Sequence, residues 1–249
     1  MGKRILQRHR GKGGLQYRAP NKGKFARVRY PFVPPGKTVE GAVEDIVHER
    51  GRGYPLAQLS VEQKRYYIPA VSGVTAGSTI RIGADATVST GNVLPLSSIP
   101  EGTSICNIER YLGDGGTLVR DSGGSAILFA NTPQGSTIRL PSGRTTILSP
   151  KCRASIGVIG GAGRVEKPFL RAGPRFHLMR AKGKIYPRMR GIAMAVVYHP
   201  FGGGRHQHPG KSTSTSRNAP PGRKVGNIAP RKTGRKRIAR AAESGGMVK

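Results

Sequence analysis

The chain contains no tryptophan, only two cysteines and only 12 acidic residues in 249. Eight tyrosines and six phenylalanines make up the whole aromatic supply, which is thin for one large core. Two cysteines, Cys106 and Cys152, exclude a disulfide framework, a zinc finger built on four thiolates and a cysteine-held iron–sulfur cluster. A reducing cytosol is the default compartment, where both are expected as free thiols packed as small hydrophobes in strands. No run of 18 apolar residues occurs, so no membrane-spanning helix is expected. The first ten residues, Met1-Gly-Lys-Arg-Ile-Leu-Gln-Arg-His-Arg10, carry no apolar h-region and read as mature protein rather than a signal peptide.

Against those absences stand 43 Lys+Arg and a formal net charge of +31. Self-repulsion on this scale disfavours a compact free state and points to a polyanionic partner. With 37 glycines and 19 prolines, long uninterrupted helices are not expected. The charge is unevenly placed. Residues 1–37 hold 11 basic residues and no acid, and residues 167–200 hold 8 and none. Residues 201–249 hold 12 and a single acid, Glu243, while 38–166 hold 12 basic and 11 acidic residues. A nearly neutral body thus lies between cationic ends that have too few apolar residues to bury by themselves.

In the body, short runs rich in Val, Ile, Thr and Tyr alternate with Gly, Pro, Asn and Ser. They predict strands at Thr38–His48, Lys64–Ile68, Thr79–Ile82, Ser104–Glu109, Ala126–Ala130, Ser136–Leu140, Thr145–Ser149 and Ala154–Ile159. This spacing suggests two small barrels or a sandwich, with a natural boundary at Ala84–Leu96. Phe169–Lys182 is the one plausible helix, short or interrupted at Gly173-Pro174 and ending against Gly183. Gly160-Gly-Ala-Gly163 lacks the strand–helix context and downstream acid of a dinucleotide loop and reads as a hinge. Gly210-Lys211-Ser212 is not a phosphate-binding P-loop, because Arg205 stands where that pattern needs glycine. Glu44, Asp45 and Glu49 read as a solvent-facing strand edge pairing with Arg50 or Arg52.

The cationic segments point to nucleic acid. Lys and Arg neutralise phosphates, Arg stacks on bases and glycine permits close backbone approach. Tyr17, Phe25, Tyr30 and Phe32 lie among the N-terminal charges as candidates for stacking on unpaired bases. RNA is favoured over DNA, since no helix-turn-helix, two-Cys two-His finger or basic-zipper pattern occurs and irregular arms suit irregular RNA. His199, His206 and His208 form a weak metal candidate with no carboxylate between His177 and Asn227. A free RNA chaperone or a chromatin-packing protein fits the composition equally well.

The ordered motifs are more specific. Arg190-Gly-Ile-Ala-Met194, His199-Pro-Phe-Gly-Gly-Gly204, Gln207-His-Pro-Gly-Lys211 and Arg217-Asn-Ala-Pro-Pro-Gly-Arg-Lys-Val-Gly226 follow one another. In that order they resemble the large-ribosomal-subunit protein L-two family, in its archaeal and eukaryotic-cytosolic form. Met1-Gly-Lys-Arg4 with Tyr17-Arg-Ala-Pro20 looks archaeal, and Gly135–Gly143 and Arg171-Ala-Gly173 also fit.

The resemblance implies an all-β fold, an OB-like barrel followed by an SH3-like barrel, with long basic Gly/Arg/Pro-rich N- and C-terminal extensions. Its boundaries would be 1–37 for the N-terminal extension, 38–86 and 87–166 for the barrels, 167–200 for a basic hinge, short helix and loop, and 201–249 for the C-terminal extension. It implies no enzyme and no cofactor, only magnesium or monovalent ions carried by the RNA. The expected place is the cytoplasmic ribosome. The expected partners are large-subunit ribosomal RNA, neighbouring ribosomal proteins and, by contact, the small subunit, with no membrane and no DNA. The expected roles are assembly, subunit association and the architecture of the peptidyl-transferase region.

The RNA-binding residues expected in the N-terminal segment are Lys3, Arg4, Arg8, Arg10, Lys12, Arg18, Lys22 and Arg27. Arg175, Arg180, Arg188 and Arg190 follow. The C-terminal set is His199, Arg205, His206, His208, Lys211, Arg217, Asn218, Arg223, Lys224, Arg231 and Arg235. The family has a proposed role in peptide transfer for the histidine matching His199. Where the family usually reads Met-Asn-x-Val-Asp-His-Pro, this chain reads Met194-Ala-Val-Val-Tyr-His-Pro200. No aspartate at 198 orients His199, so RNA contact or loop support is the better reading than a general base.

Overall fold

The computed structural model describes residues 2–34 and 36–231. Ten strands form one sheet: β1 (Thr38–Val47), β2 (Leu56–Val61), β3 (Lys64–Pro69), β4 (Thr79–Gly83), β5 (Val93–Pro95), β6 (Ser104–Cys106), β7 (Ala126–Thr132), β8 (Gly135–Arg139), β9 (Thr145–Leu148) and β10 (Arg153–Ile156). Their order is β3-β2-β1-β4-β5-β10-β6-β7-β8-β9. All pairings are antiparallel except β4 with β5, which join through the single parallel pair Ile82–Val93. One short α-helix, α1 (Ala172–Ala181), follows. The fold is therefore all-β, in keeping with an OB-like and an SH3-like barrel.

Alternation of side chains sets the cores. Val43, Leu59, Ile68, Ile80, Ile82 and Val93 pack into one buried cluster. Leu94, Leu96, Ile105, Leu128, Ile138 and Ala154 pack into another, which also takes Cys152. A third, with Leu56, Val71, Ile159 and Cys106, completes the interior. Both cysteines are fully buried free thiols, and burial pushes the Cys106 pKa up to about 12. In the two look-alike segments Ser78–Gly83 and Ser136–Pro141, each central Ile is buried and each Arg exposed.

Several expectations are corrected. β2 was not anticipated, because the β2–β3 hairpin turns at Glu62-Gln63 without glycine or asparagine. Both residues adopt the left-handed φ that a two-residue hairpin turn requires (+48° and +63°). The supposed boundary at Ala84–Leu96 contains β5, a strand too short for an alternation pattern to reveal. Gly173-Pro174 does not interrupt α1 but lies in its first turn, where proline costs no backbone hydrogen bond.

β1 is not a sheet edge: it lies between β2 and β4. Of its acids, Glu44 reaches Arg65 at 3.1 Å, and Asp45 stands exposed at a bulge. Glu49, just beyond, is only 2% exposed and pairs with Arg52 at 2.8 Å. Gly160 is tied to the sheet through its N–H to the Ala70 carbonyl (2.9 Å), and Arg164 donates to Ser122 Oγ (2.8 Å). The glycine run is thus a turn bonded to the body.

Tyr30 is a core residue, unavailable for stacking on a base. Its hydroxyl donates to the Asn107 carbonyl (2.7 Å) and lies 2.8 Å from Ser155 Oγ. Beside it is a buried ion pair. Arg153 meets Glu109 at 2.7 Å, Glu109 also accepts the Arg153 and Gly115 N–H groups, and Arg153 reaches the Pro31 carbonyl at 3.0 Å. This network holds the segment around Tyr30 against the sheet.

The chain forms two compact units. Residues 19–182 make the sheet-bearing body. Residues 1–18 and those from Gly183 onward make the other, which is loop-built over its described residues. In the loop unit a two-residue parallel pair, β11 (Ser214–Thr215) with β12 (Asn227–Ile228), closes one loop, and the Thr215 hydroxyl donates to the Val225 carbonyl at 2.7 Å.

Candidate nucleic-acid interface

The loop unit carries 21 Lys+Arg and one acid, Glu243, whereas the body carries 22 and 11. All five ion pairs among the described residues lie in the body. With almost no carboxylate in their own unit, the cations of the loop unit keep their charge for an outside anion.

Short-range hydrogen bonds and glycines shape the loop that holds His199. Gly203 N–H bonds the Met194 carbonyl (2.9 Å), Gly202 N–H the His199 carbonyl (2.9 Å) and Tyr198 N–H the Ala195 carbonyl (3.0 Å). Gly203 sits at φ +79° with the Val196 side chain against it, so a Cβ there would be both strained and obstructed. Gly191 lies flat on the imidazole of His199, and a Cβ at 191 would overlap the ring.

His199 is therefore clamped. Its Nδ1 accepts the Phe201 N–H at 3.1 Å, and the two rings stand 5.4 Å apart. Nδ1 cannot then carry the proton of the neutral ring, which leaves Nε2–H as the donor. Burial, and then the Arg188 guanidinium, hold its pKa below the usual imidazole value. Tyr198 is half-exposed, with the Lys3 ammonium 5.3 Å from its ring centre. The Lys3 N–H also bonds the Val197 carbonyl at 2.8 Å, and Tyr17 donates its hydroxyl to the Leu6 carbonyl at 3.0 Å. The first residues of the chain are thus laced to the His199 loop.

Two cavities adjoin there, sharing Ile5 and His199 in their walls. One, of about 180 Å³, is lined mostly by apolar groups, including Leu6, Met189 and Met194. The other, of about 430 Å³, carries Lys3, Arg4 and Arg8. The apolar lining residues were not singled out as site residues from the sequence. They come from segments nearly two hundred positions apart, and no local pattern announces their convergence.

Of the expected residues, Lys3, Arg4, Arg8, Lys12 and Arg18 are exposed in the loop unit, and Arg10 lies in its 3-10 helix Leu6–Lys12. Arg188, Arg190, Arg205, His206, His208, Lys211, Arg217, Asn218, Arg223 and Arg231 are exposed there too, while His199 and Lys224 are half-buried. Arg190 donates to Gln207 at 3.2 Å. Lys22, Arg27, Arg175 and Arg180 are exposed on the body instead, the last two on α1. Arg235 lies outside the described residues. Of the aromatics, Phe32 is 84% exposed and Phe25 stacks on Tyr67 at 5.6 Å. Among the described residues no three His, Cys, Asp or Glu converge as a metal cluster.

An all-β body and a cationic, loop-built unit nearly free of carboxylates are features that suit a structural role beside a polyanion. Comparison with known proteins makes the class particular. Residues 89–224, more than half of the chain, match the family model described as Ribosomal Proteins L2, C-terminal domain. The chain is 49% identical over 239 residues to large ribosomal subunit protein uL2 of Cenarchaeum symbiosum, covering 96% of this chain and 98% of that relative. It is 48% identical over 240 residues to uL2 of Nitrosopumilus maritimus, covering 96% and 98%. With uL2 of Desulfurococcus amylolyticus the identity is 46% over 238 residues, covering 95% and 100%. The chain belongs to the uL2 family of large ribosomal subunit proteins, which are structural components and not enzymes.

Proposed function

We propose that the protein is a primary binder of large-subunit ribosomal RNA, in the cytoplasmic ribosome, and that its loop unit threads among RNA helices near the peptidyl-transferase centre. There it neutralises crowded phosphates and supports assembly, subunit association and the shape of the catalytic RNA. The observation that carries this reading is the segregation of 21 cations with a single acid in one glycine-rich unit. The contacting residues are those expected from the sequence, with Lys22, Arg27, Arg175 and Arg180 adding contacts from the body. Neighbouring ribosomal proteins and the small subunit are the other partners. Magnesium or monovalent ions would arrive with the RNA. We assign the two barrels to 38–86 and 87–166; two core clusters follow this division except that Ala86 packs with the second and Val93 with the first.

His199 serves this reading as a loop support and RNA donor. Its ring is held by Gly191 and Phe201 rather than by a carboxylate that would tune it as a base. Residue-mapped RNA crosslinking from the native particle tests the proposal. Crosslinks from 190–226 to large-subunit RNA around the peptidyl-transferase region are expected. Crosslinks scattered over unrelated RNAs or DNA would replace it with a general packing or chaperone role.

A further inference from the structure

We propose that the two adjoining cavities of the loop unit form a single nucleotide site, the apolar one taking an unstacked base and the cationic one its phosphate. The proposal rests on the RNA reading and deepens it by naming the unit of RNA that is gripped. The apolar cavity, at about 180 Å³, falls below the ~300–1,000 Å³ of pockets that enclose drug-sized ligands. One planar ring system is the ligand on its scale. The ring of Tyr17 and the thioethers of Met189 and Met194 supply the polarisable lining that favours such a ring, and Arg188, the one Lys or Arg in this wall, is a residue type that stacks on bases.

The second cavity presents Lys3, Arg4 and Arg8, and no carboxylate lines it. These cations stand on a segment fixed by the Lys3–Val197 backbone bond and the Lys3–Tyr198 ring contact, so an anion meets a built surface rather than a loose tail. Between the cavities, in the walls of both, stands His199, whose free polar hydrogen is Nε2–H. An apolar slot, a hydrogen-bond donor and a cluster of cations, in that order, match base, sugar or base edge, and phosphate. An acyl chain would leave the cations without a partner, and a bare phosphate would leave the apolar cavity unfilled.

A nucleotide within an RNA strand and a free mononucleotide share this chemistry. The test uses the full-length chain, titrated with adenosine 5′-monophosphate, ribose 5-phosphate and single-stranded hexaadenylate. Affinity is read by calorimetry and the His199 ring by its imidazole NMR signals. Adenosine monophosphate should bind about tenfold tighter than ribose 5-phosphate, the scale of one stacked base, and shift the His199 signals. Leu6→Trp fills the apolar cavity from a side chain that is 52% exposed, and should abolish that tenfold preference. Lys3→Gln should weaken both ligands.

Equal affinity for the two small ligands in the unsubstituted chain would overturn the site, and that comparison needs no variant to fold. A preference that survives in a folded Leu6→Trp protein would also overturn it. Tighter binding of hexaadenylate with the same His199 shifts assigns the site to an RNA strand. Affinity equal to that of the mononucleotide assigns it to a free nucleotide, and either result upholds the site. Absence of the base preference in the unsubstituted chain, with particle crosslinks intact, refutes this inference alone, whereas scattered crosslinks refute the RNA reading beneath it.

Discussion

The body and the loop unit hold nearly equal numbers of Lys and Arg, 22 and 21, and use them in opposite ways. In the body five of the cations answer carboxylates. Arg153 is buried against Glu109, Arg52 closes on Glu49, and Arg65 and Arg81 lie over Glu44 and Glu40. In the loop unit there is almost nothing to answer. The same residue type thus closes a fold in one region and remains open for a partner in the other. What separates the two is the distribution of acids, which the body keeps and the loop unit nearly lacks.

The largest effect that would break this comparison is the salt dependence of RNA binding. If the loop unit neutralises ~10 phosphates, log affinity should fall against log salt with a slope of roughly −7 to −9. That is a loss of roughly 10⁴ to 10⁵ in affinity between 50 and 200 mM salt. Replacing Arg190, Arg217 and Arg223 together by Gln should flatten the slope by about 2 to 3, as each lost phosphate contact removes 0.7–0.9. Replacing Arg65 and Arg81, which face Glu44 and Glu40, should leave it nearly unchanged. Filter binding with a large-subunit RNA fragment over a salt series reads both. Equal flattening from the two sets would erase the distinction between the regions.

The next effect belongs to the body. Glu109 is fully buried and accepts from the Arg153 side chain, the Arg153 N–H and the Gly115 N–H. Glu109→Ala leaves the Arg153 guanidinium, whose side chain is only 12% exposed, without its counter-charge. A loss of about 3–5 kcal/mol in unfolding free energy is expected. Urea denaturation measures it, and a loss under ~1 kcal/mol would mean the pair is a surface contact in disguise. Arg217→Gln is the matched control. Exposed and without a carboxylate partner among the described residues, it should shift stability by no more than about 0.5 kcal/mol.

The two regions also differ in how much of them the sequence reveals. Strands β1, β3, β4, β6, β7, β8, β9 and β10 were legible as runs rich in Val, Ile, Thr and Tyr between turn residues, and the look-alike Ser-Thr-Ile-Arg segments also show side-chain alternation. β2 was hidden by a hairpin turn made of Glu62-Gln63, and β5 by its three-residue length. Tyr30 was misread because its neighbours in sequence are charged, while its partners, Asn107 and Ser155, lie 77 and 125 positions away. Glu49 was misread for the same kind of reason. Its burial is decided by packing, and the sequence shows only its company of other acids.

The cationic residues of the interface were legible one by one, since clustering of charge needs no fold to be seen. Their arrangement was not. The apolar cavity joins Leu6 to Met189 and Met194 through the fold of loops alone, and loops leave no periodicity to read. Family motifs located the His199 loop, but only the fold shows Gly191 and Phe201 supporting its ring.

The smallest expected effect tests that support. Burial and Arg188 hold the His199 pKa below the ordinary value of 6.5, so the folded loop prefers the neutral ring. The sign follows from linkage. Between the folded and ordinary values, the unfolded loop binds the proton that the folded loop refuses. The contribution of His199 to loop stability is therefore fully present above pH 6.5 and is lost as the pH falls through the folded value. Protonation puts a hydrogen on Nδ1, the atom that accepts the Phe201 N–H, and turns an acceptor into a donor facing a donor. In an NMR titration of the full chain, the His199 ring should titrate at lower pH than in a peptide spanning 195–203, and the Phe201 amide signal should move with it. A His199 ring that titrates at or above the peptide value would place its support outside Gly191 and Phe201. The comparison would then have to credit the loop unit with a carboxylate partner, as in the body, and Glu243 is the only acid its sequence supplies.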